Sequence, residues 1–235
     1  MAEDKLETSS GAGTRRIRSF VRREGRMTDG QREALESLSP RYSLDHMAGT
    51  LDFAQAFGRV APVSFEIGFG NGEALLGRAT ARAHINHVGV EVHRPGVGRL
   101  MMNVQARELE NVRVMSRDAV EILRDQVAES ALDEIVIEFP DPWHKKRHHK
   151  RRLIQPAFVQ LLVSRLKTGG ELRLATDWAN YAEQMLEVLS ANASIQNMAQ
   201  DGSFIERPDS RPIPRFEARG TRLGHAVFDL LFQKK

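Results

Sequence analysis

The chain contains no cysteine. That excludes a disulfide framework and a thiolate zinc site, and it suits a reducing cytoplasm, where the protein is expected to reside. No stretch is apolar for long enough to form a membrane-spanning helix. Residues 1–13 are polar, acidic at first, and lack the apolar core of a secretory signal. Internal repeats and low-complexity segments are also missing. Charge of one sign is not in large excess: 34 Lys and Arg against 31 Asp and Glu leave a net +3.

What is present is enough apolar material, 41% of 235 residues, to fill the core of one large α/β domain. The modest net charge hides clumping. Arg15, Arg16, Arg18, Arg22, Arg23 and Arg26 form one basic cluster. Lys145, Lys146, Arg147, Lys150, Arg151 and Arg152 form another, interleaved with His144, His148 and His149. A local cationic patch can track phosphates while the rest of the surface stays near neutral. The expected plan is a basic, disordered tail over residues 1–30 and a single domain over 31–235.

From Val63 onward, strands and helices alternate. Strands are expected at 63–67, 87–92, 112–115, 134–139, 171–175 and 226–232. Helices are expected at 72–83, 95–109, 119–127, 155–166 and 178–191, with a short helix at 31–38 ending at Pro40 and a helical lead-in over 42–58. This alternation with short connections argues for a doubly wound parallel sheet. The last strand follows a long loop, 192–224, read as irregular because of Pro208, Pro212 and Pro214, and so can enter the sheet antiparallel.

The first strand runs into Glu66-Ile67-Gly68-Phe69-Gly70-Asn71-Gly72. Gly68, Gly70 and Gly72 free the backbone for a tight turn with close ligand approach, and the following helix aims its N–H groups at that turn. The spacing differs from the dinucleotide Gly-x-Gly-x-x-Gly, and an acid in the turn opposes a pyrophosphate. An acid suits a cationic nucleoside such as S-adenosylmethionine; the alternative is a ligand-free βα turn.

Further acids stand at successive strand ends: Glu91, Asp118, Asp141 and Asp177. Ligands of open parallel sheets sit outside those carboxyl ends. Glu91 is spaced to accept from ribose hydroxyls. Asp118 suits an adenine amine, or caps the helix that follows. Asp141 lies between Pro140 and Pro142, whose rings fix φ and remove backbone donors, so its carboxylate is held stiffly. Trp143 either walls a base or packs under the loop. The basic run then continues directly, placing cations where a polyanion would lie over Asp141. With no acid or cysteine to complete them, the three histidines are not expected to bind metal.

The strings Glu66-Ile67-Gly68-Phe69-Gly70, Gly89-Val90-Glu91-Val92-His93, Pro140-Asp141-Pro142-Trp143-His144-Lys145, Ala175-Thr176-Asp177-Trp178, Arg215-Phe216-Glu217-x-Arg219-Gly220 and Arg222-Leu223-Gly224-His225 together resemble the bacterial tRNA (guanine-N7)-methyltransferases, from about residue 15 to the C-terminus. The resemblance implies an α/β fold: a doubly wound, mostly parallel seven-stranded sheet of the class I methyltransferase (Rossmann-like) type with a late antiparallel strand. It implies S-adenosyl-L-methionine held at Glu66, Gly68, Gly70, Gly72, Glu91, Asp118 and Asp141, with Asp141 catalytic. It implies tRNA contacts at Lys145, Asp177, Pro214, Arg215, Phe216 and Glu217, no metal, no membrane, and a monomer or weak homodimer. Family members commonly have threonine where this chain has Pro214, so a hydroxyl contact is lost there. Glu138 stands where relatives often have an apolar residue, and is expected on the less buried face of its strand.

Overall fold

A computed structural model describes residues 26–208, 211 and 226–235. The basic tail is therefore largely outside the described residues, as is the segment 212–225. Among the described residues, the strands are β1 (Val63–Ile67), β2 (Asn86–Val90), β3 (Val112–Met115), β4 (Leu132–Glu138), β5 (Leu166–Thr176), β6 (Ile195–Asn197) and β7 (Phe228–Lys234). The helices are α1 (Asp29–Ser37), α2 (Ser39–Tyr42), α3 (Phe53–Phe57), α4 (Glu73–Ala81), α5 (Arg94–Ala106), α6 (Ala119–Asp125), α7 (Pro156–Arg165) and α8 (Ala179–Ser190).

The strands form one sheet in the order β3-β2-β1-β4-β5-β7-β6. β1 pairs in parallel with both β2 and β4, and β7 runs antiparallel to both β5 and β6. The sheet is thus mostly parallel with the late strand reversed. β1 and β2 are buried along their whole length, as central parallel strands covered on both faces must be. The strand order changes direction at β1 and β4, which opens a crevice beyond their carboxyl ends.

Two apolar cores lie against the sheet. One gathers Phe65, Ile67, Ile122, Ile135, Leu162 and Met185. The other packs Phe69, Leu75, Val97, Leu100 and Val114. β1 alternates between these demands: Val63, Phe65 and Ile67 join the first core, while Ser64 and Glu66 project the other way.

Three expectations need correction. Residues 42–58 do not form one helix: α2 ends at Tyr42, Ser43 bridges to Val114, and α3 begins only after Asp52 caps it. Pro40 does not end the first helix but starts α2, where a missing N–H costs nothing. The stretch read as irregular contains β6, three residues that pair only with β7 at the sheet edge.

Candidate active site

The backbone after β1 turns through Gly68, Gly70 and Gly72 at φ of 77°, 58° and 77°, all in the left-handed region that favours glycine. Glu91 fastens this turn from the end of β2. Its carboxylate accepts from Gly70 N–H at 2.8 Å and from His93 N–H at 2.9 Å. Gly96 in α5 allows the fit from the other side, since a Cβ there would lie 2.0 Å from the Gly70 carbonyl oxygen. Sequence reasoning missed Gly96; its signal was the Pro95-Gly96 pair that begins four residues after the β2 acid, Glu91.

Beyond the turn lies a cavity of about 340 Å³, with Ile67, Val90 and Ile137 supplying apolar wall and Glu91, Asp118 and Asp141 supplying carboxylates. Asp118 has the capping role expected of it and stands at the cavity. It caps α6 by accepting from Val120 N–H at 2.9 Å, and it lines the cavity.

Asp141 is exposed at the rim of the cavity. The chain on either side is strained: Phe139 and Trp143 hold φ of 51° and 49°, values costly for bulky side chains. Phe139 is tied to the neighbouring strand, its N–H donating to Ala175 O at 2.7 Å. Trp143 does not line the cavity; it packs under Arg151, whose guanidinium carbon lies 4.9 Å from the ring centre, and against His148.

Arg152 corrects the reading of the basic run. It is buried, not a solvated phosphate contact. Its guanidinium donates to Pro142 O at 2.8 Å, to Gln184 Oε1 at 2.6 Å and to Asn180 Oδ1 at 3.0 Å, and it covers the Tyr181 ring. It therefore bolts the Asp141 turn to α8. Lys145, Lys146, Arg147 and Lys150 remain exposed. Arg152→Lys keeps the charge but loses the planar fork. It is expected to lower turnover at least about tenfold while leaving the salt dependence of RNA binding unchanged. Steady-state kinetics beside a salt titration check this; wild-type turnover in the variant would remove Arg152 from the positioning role.

The other expected site residues divide. Gly68, Glu91, Asp118 and Asp141 line one cavity, and Gly70 joins them through Glu91. Gly72 caps α4 against Leu100. Glu66 does not reach the cavity. Its carboxylate is buried and accepts from Arg78 of α4 at 2.5 Å, and the other arm of Arg78 donates to Glu138 at 2.7 Å. Glu138 is less buried than most of its strand, as expected; it pairs with Arg78 and also lines the cavity. Lys145 and Asp177 are exposed and do not line the cavity. Pro214, Arg215, Phe216 and Glu217 lie outside the described residues. Among the described residues, no cluster of His, Cys, Asp and Glu is placed to hold a metal, and no helix is long and apolar enough to cross a membrane.

The fold is shared with solved methyltransferases. The 16S rRNA methyltransferase KamB superposes with a TM-score of 0.59 at 12% identity, covering 83% of this chain and 99% of its own. The aminoglycoside resistance methyltransferase NpmB1 gives 0.54 at 15% identity, covering 78% and 92%. The fold is that of the class I methyltransferases.

Sequence comparison is narrower. A family model described as "Putative methyltransferase" matches residues 60–230. The tRNA (guanine-N(7)-)-methyltransferase of Ectopseudomonas mendocina is 52% identical over 97% of this chain and 96% of its own length. The enzyme of that name from Yersinia enterocolitica is 48% identical over 96% and 95%. The chain belongs to the tRNA (guanine-N7)-methyltransferase family.

Proposed function

We propose that this protein transfers a methyl group from S-adenosyl-L-methionine to N7 of a guanosine in tRNA, forming 7-methylguanosine, with the variable loop as the site modified. It does so as a monomer or weak homodimer in the cytoplasm. The observation that carries the reading is the convergence of Glu91, Asp118 and a rigidly held Asp141 on one cavity, beside exposed cations, in a chain about half identical to enzymes of that name.

The cavity suits the cofactor by its donor set. Apolar wall from Ile67, Val90 and Ile137 can take a nucleoside, and carboxylates at the rim can accept from ribose hydroxyls and an exocyclic amine. A cluster of acids favours a cationic ligand and opposes a pyrophosphate. When bound, the cofactor supplies an electrophilic methyl on a sulfonium. Glu66 has a supporting role, since Arg78 occupies its carboxylate.

Guanine N7 presents a lone pair and no proton, so this chain needs no general base. Its work is placement. Asp141 accepts from the N–H groups of the guanine Watson–Crick edge and stabilises the positive charge that develops on the purine. A carboxylate held rigidly toward those donors discriminates against bases that lack them. The target must be splayed from the RNA to reach this site. The segment Pro214–Glu217 and Asp177 complete the base contacts in this reading, and Lys145 meets the backbone.

Incubating the protein with bulk tRNA and methyl-labelled cofactor, then mapping 7-methylguanosine by mass, tests the reaction. Label on another position, or on free guanosine in preference to tRNA, would overturn it. The exposed cations give a second test. Replacing Lys146 and Arg147 together by alanine is expected to flatten the slope of log affinity against log salt by roughly 0.7–0.9 per cation. An unchanged slope would remove this run from the phosphate contacts.

A further inference from the structure

Trp178 occupies a position where its residue type is of little use to the fold. It is the N-cap of α8, where serine, threonine, aspartate or asparagine would accept an N–H; its side chain forms no capping bond. The indole is 37% exposed and belongs to neither apolar core. Its ring meets His144 nearly edge-on, with centres 4.4 Å apart and planes at 75°. Over a third of Trp178 therefore remains open to solvent beside His144, which is itself exposed.

Its location is constrained. His144 follows Asp141 by one short turn, and Arg152 donates both to the Pro142 carbonyl and to Asn180 in the first turn of α8. One guanidinium therefore spans the Asp141 turn and the helix that Trp178 begins. The cavity is lined from β1, β2, the start of α6, the end of β4 as far as Asp141, and Leu153 beyond the basic run, and neither His144 nor Trp178 lines it. Asp141 thus lines the cavity, and His144, three residues further on, carries the ring pair.

We propose that the Trp178–His144 pair is a base-stacking site, which takes a splayed-out purine of the RNA substrate and holds its edge against Asp141. The inference rests on the tRNA-modifying reading above and adds the surface that grips the base. A purine has a large π-face to set on the indole, and stacking on an aromatic side chain orients the ring without consuming its hydrogen-bonding edge, which stays free for the carboxylate.

The chain has two tryptophans, so each can be isolated. In a Trp143→Phe protein, bulk tRNA is expected to quench the remaining Trp178 fluorescence; in Trp178→Phe, quenching is expected to be largely lost. Trp178→Ala is expected to lower kcat/KM for bulk tRNA roughly 5- to 150-fold, the range of one base stack. Trp178→Phe should recover most of that loss. Binding of S-adenosylhomocysteine, followed by calorimetry, should not change in either variant. Three results would each overturn the proposal: no quenching of Trp178 by tRNA, Trp178→Ala within twofold of wild type, or equal losses in the Phe and Ala variants. If Trp178 in the Trp143→Phe protein is quenched by tRNA yet the unaltered protein methylates none of it, the stacking site stands and the reaction assigned above falls.

Discussion

Asp141→Ala is expected to lower the rate of methyl transfer to tRNA by about 10²- to 10³-fold, the loss typical of removing one preorganised electrostatic contact to a transition state. Binding of S-adenosylhomocysteine should weaken less, because Glu91 and Asp118 line the same cavity from other strands. The expectation comes from how much structure is committed to one exposed carboxylate. Two prolines flank it, Phe139 and Trp143 hold strained φ on either side, and a buried arginine is bonded to the Pro142 carbonyl. Strain of this kind persists only where the surroundings enforce it, and it collects at sites of chemistry. Asp141→Asn separates charge from shape. It keeps an acceptor for the guanine edge but loses the negative charge, so it should retain part of the binding and little of the rate. Single-turnover kinetics with saturating cofactor would show this; a fast chemical step in either variant would remove Asp141 from catalysis.

Much of the fold could be read from the residues. β1 and β3 fall where their apolar runs place them, because strands buried on both faces leave little ambiguity in type or extent. Three of the strand-end acids were legible because a parallel sheet opens a crevice beyond its carboxyl ends, and Glu91, Asp118 and Asp141 share it while Asp177 does not line it. β6 was not legible, since three residues at an edge carry no periodicity and exist only through β7. Glu66 could have been placed better from its own strand. Val63, Phe65 and Ile67 alternate with Ser64 and Glu66, and that parity already sets Glu66 beside Ser64, away from the apolar core of β1. Arg152 is the opposite case. Nothing in a run of cations distinguishes the one whose partners, Asn180 and Gln184, arrive from a helix some thirty positions later.

Arg78→Met is expected to destabilise the fold by about 3–5 kcal/mol at about pH 8, because it strips the cation from two buried carboxylates. The Arg78 side chain is 5% exposed and answers both Glu66 and Glu138, so its loss leaves both acids without their buried cation. Burial and the two carboxylate charges act on the same group: burial opposes its charge, yet the acids hold its pKa above the ordinary arginine value. Glu138 carries the other half of the balance. Burial pushes its carboxyl up to about 7, against the pull of Arg78 and with the charge of Glu66 adding to the rise. The folded protein therefore binds that proton more tightly than the unfolded chain. The contribution of this group is fully present below its ordinary value of 4.5 and is lost as pH rises through about 7. Glu138→Gln should accordingly flatten the fall in stability across that interval, and the penalty of Arg78→Met should be smaller at about pH 5, where Glu138 can take up a proton, than at about pH 8. Urea unfolding of the three proteins at both pH values measures this. A penalty for Arg78→Met below about 1 kcal/mol at the higher pH, or one independent of pH, would show that the two acids are not relying on that guanidinium.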